Sequence, residues 1–112
     1  MQKEFYGQSF TDVAGNPGYT MKLTYFLLID NVREKYCDLK VYGAEIDREN
    51  IYDNGKRRRE CKLIRDLFFN RCEAEAFVRT LCDNLVTPMG LKDVLSEYID
   101  EKISMLSYET QK

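Results

Sequence analysis

The segment Leu67–Leu106, LFFNRCEAEAFVRTLCDNLVTPMGLKDVLSEYIDEKISML, carries the clearest periodicity in the 112-residue chain. From Ala74, apolar residues recur at Phe77, Val78, Leu81, Cys82 and Leu85. From Leu91 they recur at Val94, Leu95, Tyr98, Ile99 and Leu106, with the stem of Lys102 between. Each series keeps the three-and-four spacing of one buried helix face, so the segment predicts two amphipathic helices within residues 70–106, joined by Val86-Thr87-Pro88. The start signals agree. Asn70 can accept a bond from an unpaired backbone N–H of the first turn, and Glu73 stands where a capping box would put it. Glu73 and Glu75 also place negative charge at the end of the helix dipole that favours it. Thr87 is the expected cap of the second helix, with Pro88 at its first position, where a missing N–H costs nothing. Gly90 in that first turn costs about 1 kcal/mol relative to alanine unless a neighbour packs closely. So short a link makes the helices an antiparallel or steeply crossed pair.

Upstream, the period changes from three-and-four to two. Met21, Leu23, Tyr25, Leu27 and Ile29 alternate with Thr20, Lys22, Thr24, Phe26 and Leu28, a strand whose second face also turns apolar near Phe26–Leu28, as a central strand requires. Asp30-Asn31 is read as the start of a turn, and 36–46 as the next strand, with Cys37, Leu39 and Val41 on one face. Beyond Gly43 the apolar positions move to Ala44 and Ile46, which makes Gly43 a candidate β-bulge. Asp53-Asn54-Gly55 is a hairpin signal, read as a type I′ turn centred on Asn-Gly. The strand after it, about Arg57 to Leu67, reads as half exposed and near a sheet edge, where charged residues discourage pairing with other chains. Residues 1–18 carry little pattern; Gln8 to Val13 can form a short edge strand before the turn Gly15-Asn16-Pro17-Gly18, and the first few residues are expected to be mobile. The expected fold is therefore α+β: an antiparallel three- to four-stranded meander over 19–67, followed by two C-terminal helices at 70–106 packed on one sheet face. Residues 1–112 are read as one domain with a frayed tail from Ser107.

The composition admits a core without staples. A chain of this length buries roughly two thirds of its unfolded surface, and 44% hydrophobic residues with eight Tyr and six Phe exclude a disordered class. A formal net charge of −2 gives no general attraction to nucleic acid or anionic membranes. No run approaches the roughly 18 apolar residues of a membrane span, and no signal-peptide segment follows Met1-Gln2-Lys3-Glu4, so the expectation is a cytoplasmic protein with no membrane partner. Cys37, Cys61, Cys72 and Cys82 show no metal-ligand spacing and there is no histidine, so no metal site is assigned and the cysteines are read as small buried hydrophobes.

The absence of histidine also removes the serine and cysteine nucleophile systems that depend on it. No glycine-rich phosphate loop is present, and no catalytic or cofactor-binding residue is assigned. Two charge concentrations remain. Asp93, Glu97, Asp100 and Glu101 lie at spacings of three and four on the polar side of the second helix: a solvated face, an acidic stripe for a basic partner, or a divalent-ion site. Lys56, Arg57, Arg58, Arg59, Lys62 and Arg65 form the other, six cations against two carboxylates between Lys56 and Asp66. On a strand this run splits across both faces, as in a soluble edge strand; as a nucleic-acid patch it would draw on Tyr36, Tyr42 or Tyr52 for stacking.

The strand Tyr25-Phe26-Leu27-Leu28, the strand Val41-Tyr42-Gly43, the turn Asn54-Gly55, and Asn84-Leu85-Val86-Thr87-Pro88 with Leu91-Lys92-Asp93-Val94-Leu95-Ser96-Glu97-Tyr98 together resemble a family of small proteins from clostridia and related Gram-positive bacteria, catalogued as a domain of unknown function. The resemblance covers about residues 20–100. It implies a bacterial, cytoplasmic setting and supplies no catalytic residues. The sequence therefore favours a non-enzymatic interaction or regulatory domain acting through a protein partner or self-association. The alternative is a weak nucleic-acid-binding protein using Lys56 to Arg65, and a carboxylate-based enzyme ranks below both.

Overall fold

The computed structural model describes residues 1–12, 18–34 and 36–110, without the side chains of residues 12, 34 and 105–110. Four strands come first, β1 (Gln2–Asp12), β2 (Tyr19–Glu34), β3 (Cys37–Tyr52) and β4 (Arg57–Phe68). They form one antiparallel sheet in the order β1-β2-β3-β4, so β1 and β4 are its edges. Helix α1 (Arg71–Asp83), a 3₁₀ turn (Pro88–Gly90) and helix α2 (Leu91–Thr110) follow. The meander and the helix pair are those the periodicities require.

The helices cover one face only. Leu23, Tyr25, Leu27 and Ile29 of β2 and Tyr42, Ala44 and Ile46 of β3 meet Ala74, Phe77, Val78 and Leu81 of α1, all buried. The Tyr25 hydroxyl donates to the Val86 carbonyl at 2.9 Å, tying the middle of the sheet to the link between the helices. Phe68, Phe77 and Tyr98 bring the end of β4, α1 and α2 together, with ring centroids 5.4–5.5 Å apart. Beyond Tyr98 the second helix runs out of core: Ile99 and Ile103, though in phase with its apolar stripe, are exposed. The Leu106 side chain lies outside the described residues.

Several local expectations are corrected. The first strand begins at Gln2 rather than Gln8, because Gln2, Lys3, Glu4 and Phe5 pair with Ile29, Leu28, Leu27 and Phe26. Its expected last residue, Val13, and most of the turn at residues 15–18 lie outside the described residues. Asp30-Asn31 does not turn, since β2 and β3 stay paired from Asp30↔Val41 out to Glu34↔Cys37. Strand β3 likewise runs past Ile46 to Tyr52: its polar end is held by neighbours on both sides, which outweigh low strand propensity. The backbone of α2 stays helical to Thr110, beyond the expected end at 106, while residues 111–112 lie outside the described residues.

The phase change at Gly43 has a different cause from the one expected. Pairing with β2 runs unbroken through Leu28↔Gly43, so β3 keeps its alternation, and its middle is buried on both faces, Val41 and Glu45 on the open side and Tyr42, Ala44 and Ile46 on the helix side. The irregularity belongs to β4: one residue of β3, Gly43, spans the interval that Arg65, Asp66 and Leu67 occupy between Ile64 and Phe68. Asp66 takes φ +56° there. A Cβ on Gly43 would lie 2.0 Å from the Ile64 carbonyl oxygen, which explains why glycine stands at this crossing.

The hairpin is also not type I′. Gly55 N–H donates to Tyr52 O at 3.0 Å and Tyr52 N–H to Lys56 O at 2.9 Å, closing a three-residue loop in which Gly55 (φ +87°) takes the left-handed conformation and Asn54 does not. Asn70 caps α1 as expected, its Oδ1 accepting from the N–H groups of Cys72 (2.7 Å) and Glu73 (3.3 Å). Thr87 precedes a 3₁₀ turn rather than an α-helix and makes no side-chain cap bond. At the other end of α1, Val86 N–H donates to Leu81 O and Leu85 N–H to Cys82 O, a closure that puts Leu85 at φ +51°.

Two outcomes follow for chemical denaturation. Gly43→Ala should destabilise the fold by about 3 kcal/mol, because backbone must move to admit the methyl group. Leu85→Gly should stabilise it by about 1 kcal/mol, because the leucine is largely exposed and pays left-handed strain that glycine does not.

Candidate functional site

The cation-rich strand resolves into two unlike faces. Pairing with Ile51, Glu49, Asp47 and Glu45 sets Arg57, Arg59, Cys61 and Leu63 on the open face of the sheet, away from the helices. Arg58, Glu60, Lys62 and Ile64 lie on the helix side, opposite Asn50, Arg48, Ile46 and Ala44.

On the open face the cations are neutralised within the chain. Arg57 donates to Glu49 at 3.0 Å, Arg59 to Asp47 at 3.4 Å and Arg65 to Asp30 at 3.1 Å. From the other side Lys3 reaches Glu45 at 2.9 Å, its ammonium also 4.4 Å from the Phe26 ring centroid. Glu45 is only 5% exposed on a face that carries no second layer, so this ion pair is the best shielded of the set. Its hydrogen bond raises the Lys3 pKa above the ordinary lysine value.

Sequence reasoning did not find the group at the centre of this network. Donor atoms of Glu45, Asp47 and Cys61 lie within 4.8 Å of one another, a spacing that geometry alone would accept for a divalent ion. Both carboxylates, however, already hold a cation, and the thiol keeps its proton. Desolvation first, then a hydrogen bond to Asp47 and the charges of Asp47 and Glu45, push the Cys61 pKa up to about 12. The arrangement is a charge-compensated network joining β1, β3 and β4. The signal was in the hairpin: counting outward from Asn54 places Asp47 opposite Cys61.

The cysteines depart from expectation. Cys37, Cys61 and Cys72 are exposed and Cys82 half-buried. Cys37 borders the β2–β3 turn and Cys61 lies on the uncovered face, so strand placement did not imply burial. Of the tyrosines considered for base stacking, Tyr42 is in the core, Tyr52 lies against Tyr19 with centroids 5.1 Å apart, and Tyr36 is exposed at a hairpin end. Glu97 and Glu101 of the expected acidic stripe line a groove between α1 and α2, joined there by Glu73, while Asp93 and Asp100 are exposed elsewhere on α2.

The outer edge of β4 is where unused features converge. Among the described residues no backbone group outside the sheet bonds to it. Beside it runs an open groove of about 390 Å³ with an apolar wall of Ile64, Met89 and Leu95, rimmed by Lys62 and Lys92. Met89 is 74% exposed and Leu63 also stands out of the core. Among the described residues Lys56, Arg58, Lys62 and Lys92 make no ion pair. An unpaired strand edge, an apolar trough and uncompensated cations thus occupy one side of the molecule.

The model of a family described as Family of unknown function (DUF6514) matches residues 8–101. The chain belongs to that family. The match runs from within β1 through β2, β3, β4 and α1 into α2. Comparisons with curated proteins and with solved structures found no match. No helix among the described residues is long and apolar enough to cross a membrane.

Two measurements test the electrostatics. Alkylation at mildly alkaline pH should modify exposed Cys37 at least about tenfold faster than Cys61, read by mass spectrometry of labelled peptides. Stability should fall at high pH. Burial pushes the Tyr25 hydroxyl from 10.0 to about 12 and Cys61 rises from 9.0 to about 12. The unfolded chain therefore loses these protons first, and the stabilisation present below about pH 9 should drain away as pH rises towards 12. Tyr25→Phe should remove the tyrosine's share of that slope.

Proposed function

We propose that the protein is a non-enzymatic interaction domain that binds a protein partner along the outer edge of β4. The observation that carries this reading is the coincidence of an unpaired strand edge with the groove walled by Ile64, Met89 and Leu95. An extended segment laid on the edge gains main-chain hydrogen bonds from β4 and inserts apolar side chains into the trough, as in recognition by strand addition. The rim selects the partner's charge. Lys62, Lys92 and Arg58 favour a segment carrying Asp or Glu, and they disfavour a second β4, which would bring arginines against arginines.

The nucleic-acid alternative draws less support from the geometry. Arg57, Arg59 and Arg65 spend their charge on Glu49, Asp47 and Asp30, and Arg58 and Lys62 point to another face, so among the described residues the basic strand offers no continuous basic surface to follow a phosphate backbone.

Selection from a random displayed-peptide library on the intact protein tests the proposal. Enriched peptides should combine alternating apolar residues with Asp or Glu, and their binding should slow amide exchange in β4. Exchanging Lys62 and Lys92 together for Glu should weaken binding at least about tenfold without changing the melting temperature. Enrichment of basic peptides, protection elsewhere in the molecule, or no enrichment would each reject the β4 edge.

A further inference from the structure

The two edges of the sheet are guarded very differently. Seven of the ten residues of β4 from Arg57 to Asp66 are charged, whereas β1 carries no charged side chain between Phe5 and Thr11. Natural sheets usually protect a long edge with charges, proline or a covering element. Here the uncharged run instead displays Phe5 and Phe10, each 61% exposed. Among the described residues no backbone group outside the sheet bonds to β1.

We infer that β1 is a self-association edge, pairing antiparallel with β1 of a second copy of this chain to make one continuous eight-stranded sheet. The register follows from two limits. The β-bulge between Phe5 and Gly7 interrupts regular pairing on one side, and Asp12 brings charge on the other. The regular neutral stretch is therefore residues 7–11, with Ser9 at its centre. A two-fold axis through Ser9 sets Gly7 opposite Thr11 of the second copy, Gln8 opposite Phe10, and Ser9 opposite itself. The faces agree: Gly7, Ser9 and Thr11 pair with Tyr25, Leu23 and Met21 on the helix side, while Gln8 and Phe10 pair with Thr24 and Lys22 on the open side. Each Phe10 ring, lying 5.8 Å from the Lys22 ammonium of its own chain, gains the stem of Gln8 from the other. The Ser9 hydroxyl is buried without a hydrogen-bond partner in its own chain and would face its twin across the axis.

The occupant is a second copy because the edge is neutral and its limits are symmetric about one residue, so a copy meets no like charge there. The cations of β4 deny that edge the same arrangement. The pairing leaves both β4 edges free at the far ends of the joined sheet, so the inference stands independently of a partner on β4.

Sedimentation across a micromolar to millimolar concentration series, with non-reducing peptide mapping, tests it. The wild-type chain should pass from monomer to dimer. Ser9→Lys sets two ammonium groups face to face at the axis and should weaken the dimer at least about tenfold, beyond any loss of monomer stability read from the circular dichroism melt. Ser9→Cys should give a disulfide that joins two chains through position 9. A monomer throughout, or a dimer indifferent to Ser9→Lys and unlinked through position 9 in Ser9→Cys, overturns the inference. If Ser9→Lys disturbs folding, the Ser9→Cys mapping decides alone.

Discussion

One hydrogen bond fixes the relation between the two layers. Tyr25 stands in the middle of a central strand, wholly enclosed, and its hydroxyl ends on the carbonyl of Val86 in the short link between the helices. Val86 is itself held by the return of the chain onto Leu81, which requires Leu85 in the left-handed conformation. A buried hydroxyl needs a partner, and a link carbonyl at the end of a helix needs a donor. Each meets the other's need, so the helix pair cannot slide across the sheet without leaving both groups unsatisfied. Around this point α1 contributes Ala74, Phe77, Val78 and Leu81, and the aromatic trio Phe68, Phe77 and Tyr98 carries the packing out to α2.

The consequence is a molecule with one dry face and one built from charge. With no second layer, the open face of β3 and β4 is closed by lateral ion pairs, each carboxylate of β3 taking a cation from a neighbouring strand. This is why the basic stretch leaves the open face of the sheet neutralised rather than basic. Charges compensated locally serve the sheet, and of those left over in the basic stretch, Arg58 and Lys62 lie on the helix side of the β4 edge, Lys62 facing Lys92 across the groove. The two rims of the sheet, where main-chain groups remain unpaired among the described residues, differ in kind: one is cationic with an apolar trough, the other neutral and aromatic.

Much of the fold was legible in the residues. The spacing from Ala74 to Leu85 and from Leu91 to Tyr98, the cap at Asn70, the alternation from Met21 to Ile29 and the turn at Gly55 all express local geometry, which depends on the residue and its near neighbours. The same alternation divided the Arg57–Arg65 run between two faces. Strand ends were less legible: Asp30–Glu34 and Asp47–Tyr52 are polar, and they remain extended because an adjacent strand satisfies their backbone groups.

By itself the sequence determined the two periodicities, the order of strands before helices and the sign of each charge cluster, because these are properties of side chains read along one dimension. Only the tertiary structure decided that three arginines are neutralised by Asp30, Asp47 and Glu49, that Gly43 makes room for the Ile64 carbonyl, and that Ile64 shares a groove with Met89 and Leu95. Those facts depend on which distant residues the register brings opposite one another, and a register is fixed by the burial of a whole face rather than by any residue alone.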